Sequence, residues 1–219
     1  TIRGSSASLA VHILIALQKR ETRWRQLDLR TRFIHKGVPM SIVRALPLAV
    51  FVAFGSNTGV DQQSCLAAVY TGYADAQRTW QRSLRDAIAS ARVEFTDLAE
   101  LSADLQLAMI DRGETRFRYL VNQAPDRLQL DDGLGGFVNV GLGWSDEDNV
   151  ALMANDPDYR ALEERISRLR ADNDARPDWP ALRTYFRTEL SASEPYADAL
   201  ERLASSTAEF EDRLDACTI

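Results

Sequence analysis

The chain has 219 residues, of which 45% are hydrophobic and 26% charged, and its formal net charge is −6 at pH 7. This charge argues against nucleic acid or an anionic membrane surface as the main partner, because both would repel the chain at long range. The charges are also unevenly distributed. Residues 1–39 hold eight basic and two acidic residues, whereas the remainder holds 18 arginines, no lysine and 30 carboxylates.

The basic first segment, residues 1–39, also contains both histidines and both lysines of the chain. So sharp a change in composition predicts a leader that is untranslated or foreign to the protein. The alternative is an N-terminal membrane anchor at residues 9–17 (LAVHILIAL). Nine residues are too few for a bilayer core that needs about 20.

Residues 40–55 (MSIVRALPLAVFVAFG) have the layout of a secretory signal peptide: a short basic region, ten apolar residues, and small residues at Ala53 and Gly55. The pattern predicts cleavage after Gly55 and a periplasmic or secreted location. The apolar run is too short for an integral membrane span, although an uncleaved signal could still act as a tether. Residues 56–219 would then form a single all-α domain with a formal charge of −13.

Both cysteines, Cys65 and Cys217, lie near the two ends of this predicted domain. An even number of cysteines in an exported chain favours a disulfide. The bridge would join the first helix to the last, and the alternative is two unpaired buried thiols in a cytosolic protein.

Residues 62–110 contain no proline, and their apolar residues recur every three or four positions. This spacing predicts a long amphipathic helix. About 50 helical residues would extend roughly 75 Å, so we expect a break near Thr96. A capping box of Asp97 and Glu100 would start the next helical stretch there.

Shorter helices are predicted to follow. Residues 114–123 form one amphipathic piece after Gly113, and four later helix starts carry cap residues, three of them with proline. These starts are Ser145 with Asp148, Asp156 with Pro157, Asp178 to Pro180, and Ser193 to Pro195. Short connections make neighbouring helices antiparallel. The predicted fold is therefore an all-α helical bundle with one long N-terminal helix and four to five shorter antiparallel helices.

The absence of histidine and lysine after Met40 limits the chemistry. It excludes a Ser-His-Asp triad, a Cys-His pair, a histidine zinc site, a Walker phosphate loop and a Schiff base. Residues 172–174 (DND) begin like a calcium loop but lack its later ligand and glycine, so a helix-capping turn is the better interpretation. We therefore predict no enzyme activity, no cofactor and no metal.

The glycine-rich segment 131–144 (DDGLGGFVNVGLGW) is the best candidate for a binding site. Its candidate residues are Gly135, Gly136, Phe137 and Trp144. Glycines allow close backbone approach and the aromatic side chains offer contact area, as in a mobile binding loop. The alternative is a long connection whose aromatic residues close one end of the bundle.

A second candidate surface is the helical face shared by Arg78, Arg82 and Arg85. Arg112 and Arg116 share another face in the same way. In so acidic a chain these arginines either form solvated ion pairs or recognise an acidic partner.

Together these features predict an exported acidic helical protein that acts as a protein–protein interaction or envelope-associated binding module. The alternative is a carboxylate-based envelope hydrolase or a small-ligand binder that uses the 131–144 segment. A protein partner is expected, and a homo-oligomer through the first long helix remains open.

Overall fold

The computed structural model describes residues 58–128 and 143–218, and all regular secondary structure in these ranges is helical. It comprises α1 (Thr58–Ala91), α2 (Thr96–Gln123), α3 (Asp146–Asn155), α4 (Pro157–Asp174), α5 (Trp179–Thr188) and α6 (Glu194–Thr218). Single 3₁₀ turns occupy Val93–Phe95, Pro125–Arg127 and Leu190–Ala192. The predicted all-α bundle is confirmed. The predicted leader and signal peptide lie outside the described residues, as do Gly135, Gly136 and Phe137.

The break in the first long helical stretch lies at Arg92, four residues before the expected position. Arg92 leaves the helical region (φ −142°, ψ 89°), and the 3₁₀ turn at Val93–Phe95 leads into α2. The predicted capping box is wrong, because Phe95 is the N-cap residue of α2 and makes no side-chain cap hydrogen bond. A contact with a residue distant in the sequence holds the turn instead. Arg92 donates two hydrogen bonds to Glu189 at the end of α5, at 2.7 and 2.8 Å.

Gly113 does not begin a separate helix, contrary to the prediction, and α2 continues through it to Gln123. A Cβ atom at Gly113 would lie 3.0 Å from the hydroxyl of Tyr70 on α1. The glycine therefore serves the close approach of α1 and α2 and does not end a helix.

The later helices begin where the sequence predicts, and the caps of α3 and α4 form, whereas Asp178 precedes α5 without a side-chain cap hydrogen bond. Ser145 and Asp148 form a complete capping box at the start of α3. Asp156 accepts hydrogen bonds from the backbone of Asp158 and Tyr159, with Pro157 in the first turn of α4. Such reciprocal caps satisfy backbone N–H groups that have no partner inside the helix.

The helices pack in the order α6–α1–α2–α4, with successive neighbours antiparallel. Contacts between Tyr70 and Phe117 and between Arg78 and Asp111 join α1 to α2. α6 returns along the other side of α1. α4 covers the outer side of α2, where Ile166 packs with Leu105 and Ala108.

The apolar face of α1 is covered inside the molecule. Its first half packs with α2 and α6 around Tyr70, and its second half packs with α2, α5 and α6 around Ile88. The large hydrophobic side chains that stand exposed in the described ranges are Val93 and Val150. A coiled coil through α1 would therefore have to displace this packing. None of the described helices is both long and apolar enough to cross a membrane.

Cys65 on α1 and Cys217 on α6 form the predicted disulfide, with Cα atoms 5.7 Å apart and a sequence separation of 152 residues. Cys217 is buried in the same cluster as Leu66 and Leu214. The bridge joins the first described helix to the last.

Candidate functional site

Arg127 joins the residues that flank the 129–142 segment. Its guanidinium donates hydrogen bonds to the carbonyl oxygen of Gly143 and to both carboxylate oxygens of Asp148. Gly143 has a φ of +67°, and a Cβ atom there would meet the backbone of Arg127, so this position requires glycine. Arg127 and Gly143 are thus held next to each other in the described part of the chain.

Asp148 is the buried carboxylate next to this segment. The hydrogen bond from Arg127 is the main cause that holds the pKa of Asp148 well below its usual range, with Ser145 adding to the effect. A general acid needs the opposite, a pKa raised towards neutrality. Asp148 therefore fixes the chain and stays ionised at neutral pH.

Gly143 and Trp144 are the described members of the predicted glycine-rich segment, and Trp144 lies two residues before α3. It packs against the core cluster around Phe117. Its ring meets Tyr119 edge-on, with centroids 5.5 Å apart. The Cζ atom of Arg116 lies 4.9 Å from its centroid. The indole Nε1 is buried and has no hydrogen-bond partner among the described residues.

Arg116 links Trp144 to α3 and α4. Its Nε donates to the Tyr159 hydroxyl at 2.7 Å, and its Nη2 donates to Asn149 at 3.1 Å and Glu163 at 2.7 Å. We call these six residues the Trp144 cluster: Trp144, Arg116, Tyr119, Asn149, Tyr159 and Glu163.

The charged groups of this cluster shift each other's pKa values. Burial alone would raise the pKa of Glu163, but the hydrogen bond from Tyr159 and the charges of Arg112 and Arg116 outweigh it, and the pKa lies below its usual 4.5. Burial and the hydrogen bond to Glu163 raise the pKa of Tyr159 to about 12. Glu163 is thus a fixed anion and Tyr159 a fixed neutral donor.

Arg112 reaches the same carboxylate from one turn earlier on α2. Its Nη1 lies 3.5 Å from Glu163 Oε2, and its side chain is 20% exposed. Burial lowers the pKa of Arg112, and the neighbouring Arg116 lowers it further. The predicted shared face of Arg112 and Arg116 is present, and one carboxylate serves both.

The structure separates the three arginines of the other predicted surface. Arg78 lies between α1 and α2, where it donates to Asp111, Asp75 and Glu114 at 2.5 to 3.0 Å. Arg85 pairs with its neighbour Asp86 at 2.7 Å. Arg82 is exposed and forms no ion pair or hydrogen bond with the described residues. The three side chains therefore differ in exposure and in partners.

An open trough of about 550 Å³ runs between α1 and α6, beside Trp80 and Leu203. Its rim carries small and charged side chains, among them Ser83, Asp198 and Arg202. None of the residues that line it belongs to the Trp144 cluster.

Sequence reasoning missed Glu114, which binds Arg78, and three members of the Trp144 cluster, namely Asn149, Tyr159 and Glu163. Glu163 and Glu164 are adjacent and chemically identical, yet their side chains are 16% and 60% exposed. The available signal was position. Glu163 lies four residues after Tyr159 and three before Ile166, on the buried face of α4.

No protein-family model matches the chain, and neither a curated protein nor a solved structure shows significant similarity to it.

Proposed function

We propose that this chain is an exported, non-enzymatic protein that binds a protein partner through the Trp144 cluster. Export to the periplasm or the cell exterior is supported by the signal-like residues 40–55. The Cys65–Cys217 disulfide gives independent support, because such bridges persist in oxidising compartments.

The observation that carries the proposal is the composition and placement of the cluster. Trp144, Tyr119 and Arg116 meet next to the start of α3 and are partly exposed, and Tyr159 is buried beside them. Tryptophan, tyrosine and arginine dominate the binding energy of protein interfaces.

The electrostatics of the described residues favour binding over hydrolysis. Every carboxyl group with a displaced pKa, namely Glu114, Asp148, Glu163 and Asp178, has it displaced downward. A carboxylate-based hydrolase needs one carboxyl group whose pKa is raised so that it can donate a proton. The charges of this bundle are held in their ionised forms instead.

Two exposed valines allow a matched crosslinking test. Val150 is 68% exposed and adjoins Asn149 of the cluster, whereas Val93 is 79% exposed at the turn between α1 and α2. A photo-reactive amino acid would replace each valine in turn. The purified proteins would be irradiated with the envelope fraction of the organism that encodes the chain.

We expect a discrete adduct from position 150 that excess wild-type protein abolishes and excess Trp144→Ala protein does not. Position 93 should give no such adduct. Adducts of equal yield at both positions, or an adduct that Trp144→Ala competes as well as wild type, would overturn the proposal. Thermal unfolding of Trp144→Ala and Trp144→Phe would establish that the competitors are folded.

Export has its own test, which does not depend on the partner. The chain from Met40 would be produced in a Gram-negative host, and the periplasmic protein weighed after thiol alkylation with and without reductant. We expect a mass that begins at Ser56 and two cysteines that react only after reduction. Full-length protein with two free thiols in the cytosol would contradict export.

A further inference from the structure

Where α4 packs on α2, two arginines share one carboxylate. Glu163 Oε1 accepts from Arg116 at 2.7 Å, and the same carboxylate offers Arg112 only a 3.5 Å contact. Arg116 has further partners in Tyr159 and Asn149. Arg112 is thus the member of the pair that makes no hydrogen bond to Glu163.

A guanidinium has five N–H donors. Arg112 makes no hydrogen bond with the described residues, although four-fifths of its side chain is covered. None of its nitrogen atoms is a buried donor without a partner, so its N–H groups reach solvent. Arg78 provides a comparison within the same bundle. Its side chain is similarly covered, at 17% exposed, and it donates four hydrogen bonds to three carboxylates. The fold supplies acceptors to Arg78 and leaves the N–H groups of Arg112 to solvent.

Two positive charges thus share the single carboxylate of Glu163. Burial lowers the pKa of Arg112, and the positive charges of Arg116 and Arg170 lower it further.

We infer that Arg112, with Arg116 beside it, forms a binding site for one carboxylate group where α4 packs on α2. Arginine and carboxylate match in geometry and can form two parallel hydrogen bonds. This inference rests on the proposed function for the identity of the ligand. It assigns to the protein partner an aspartate, a glutamate or a C-terminal carboxylate that reaches Arg112 next to the Trp144 cluster.

The site can be tested with small anions on the purified protein, without the partner. Nitrogen-15 NMR at constant pH and ionic strength would follow the Nε–Hε signals of the arginines during titration with sodium acetate, inorganic phosphate or chloride. We expect the Arg112 signal to shift saturably with acetate in the wild type and in the control variant Arg82→Met. Chloride should produce no saturable shift.

The variants Arg112→Met and Arg112→Lys keep the test specific. In Arg112→Met, acetate should cause no saturable shift in the Arg116 signal. In Arg112→Lys, the acetate dissociation constant should rise several-fold, since lysine cannot form the two-bond pair. Shifts that remain linear with acetate in the wild type, or that persist in Arg112→Met, would overturn the site. Tighter binding of phosphate than of acetate would overturn the carboxylate assignment.

The two proposals fail separately. Saturable acetate binding without a crosslink at position 150 would reject the protein partner and keep the site. A competed crosslink without acetate binding would reject the carboxylate site and keep the partner.

Discussion

The two sides of α2 carry two polar networks that differ in charge balance. Towards α1, Arg78 and Arg118 meet Glu114, Asp111 and Asp75, and Thr71 donates to Glu114 at 2.8 Å. Towards α4, Arg112 and Arg116 share the single carboxylate of Glu163. Arg112 and Glu114 lie two residues apart on one helix, so the contrast arises from which neighbour each faces.

We associate the balanced network with helix packing and the other network with ligand binding. A network whose donors and acceptors all find partners holds two helices in register and has nothing left to offer a ligand. A network whose donors are left to solvent can accept an added anion. Removing an arginine should therefore cost much stability in the first network and little in the second, and the following four expectations test the comparison.

The largest effect should come from Arg78→Met. It leaves Glu114, whose side chain is 11% exposed, with less compensation, and breaking such a buried pair should lower the free energy of unfolding by about 3 kcal/mol. Urea unfolding would measure this. Arg82→Met on the same helix is the matched control and should change stability by less than about 0.5 kcal/mol. Equal effects of the two variants on stability would contradict a structural role for the α1–α2 network.

Glu163→Gln should be next in size, with a loss of about 2 kcal/mol, because two covered arginines lose their shared carboxylate. The measurement is again urea unfolding, with the exposed neighbour Glu164→Gln as control. Added acetate should restore part of the loss in Glu163→Gln if an external carboxylate can bind Arg112 and Arg116. No loss at all would mean that Glu163 does not balance the arginines.

Acid should weaken the α1–α2 network in a defined pH range. Burial alone would raise the pKa of Glu114, but hydrogen bonds from Arg78 and Thr71 outweigh it and the pKa lies below its usual 4.5. A lowered folded-state pKa stabilises the protein above the unfolded-state pKa, and this contribution is lost as the pH falls through the folded-state value.

Stability should therefore be level above about pH 5 and fall below it, more steeply in the wild type than in Glu114→Gln. Chemical unfolding at a series of pH values would show this. Glu100→Gln, at an exposed position of α2, should follow the wild-type curve. Parallel curves for wild type and Glu114→Gln would contradict the assignment.

The smallest effect should come from Arg112→Met. Removing a covered guanidinium that lacks hydrogen bonds costs little, and we expect a change within about 1 kcal/mol of wild type, of either sign. Thermal and urea unfolding would both report it. A loss as large as that of Arg78→Met would mean that Arg112 is as well paired as Arg78, and the two networks would no longer differ.

The sequence predicted those features that depend on neighbours in the chain. The capping box of Ser145 and Asp148 and the start of α4 at Asp156 and Pro157 needed only local hydrogen bonding. The break before α2 was expected close to its true place but for the wrong reason, because Arg92 is held by Glu189, 97 residues away.

Distant contacts explain what the sequence could not predict. Gly113 looked like a helix end because its role depends on Tyr70 of α1. Arg78 looked like a member of an exposed row because Asp111 and Glu114 lie on another helix. The shared face of Arg112 and Arg116 could be predicted from spacing alone, whereas their common partner on α4 could not.

The disulfide also determines how the bundle would bear a mechanical load. A pulling force applied to the chain before Cys65 and after Cys217 would pass through one covalent link, because the two Cα atoms lie 5.7 Å apart. The residues between them would carry none of the tension. If the chain is held on one side of the bridge and pulled on the other, the bundle and its Trp144 cluster would keep their shape until the bridge is reduced.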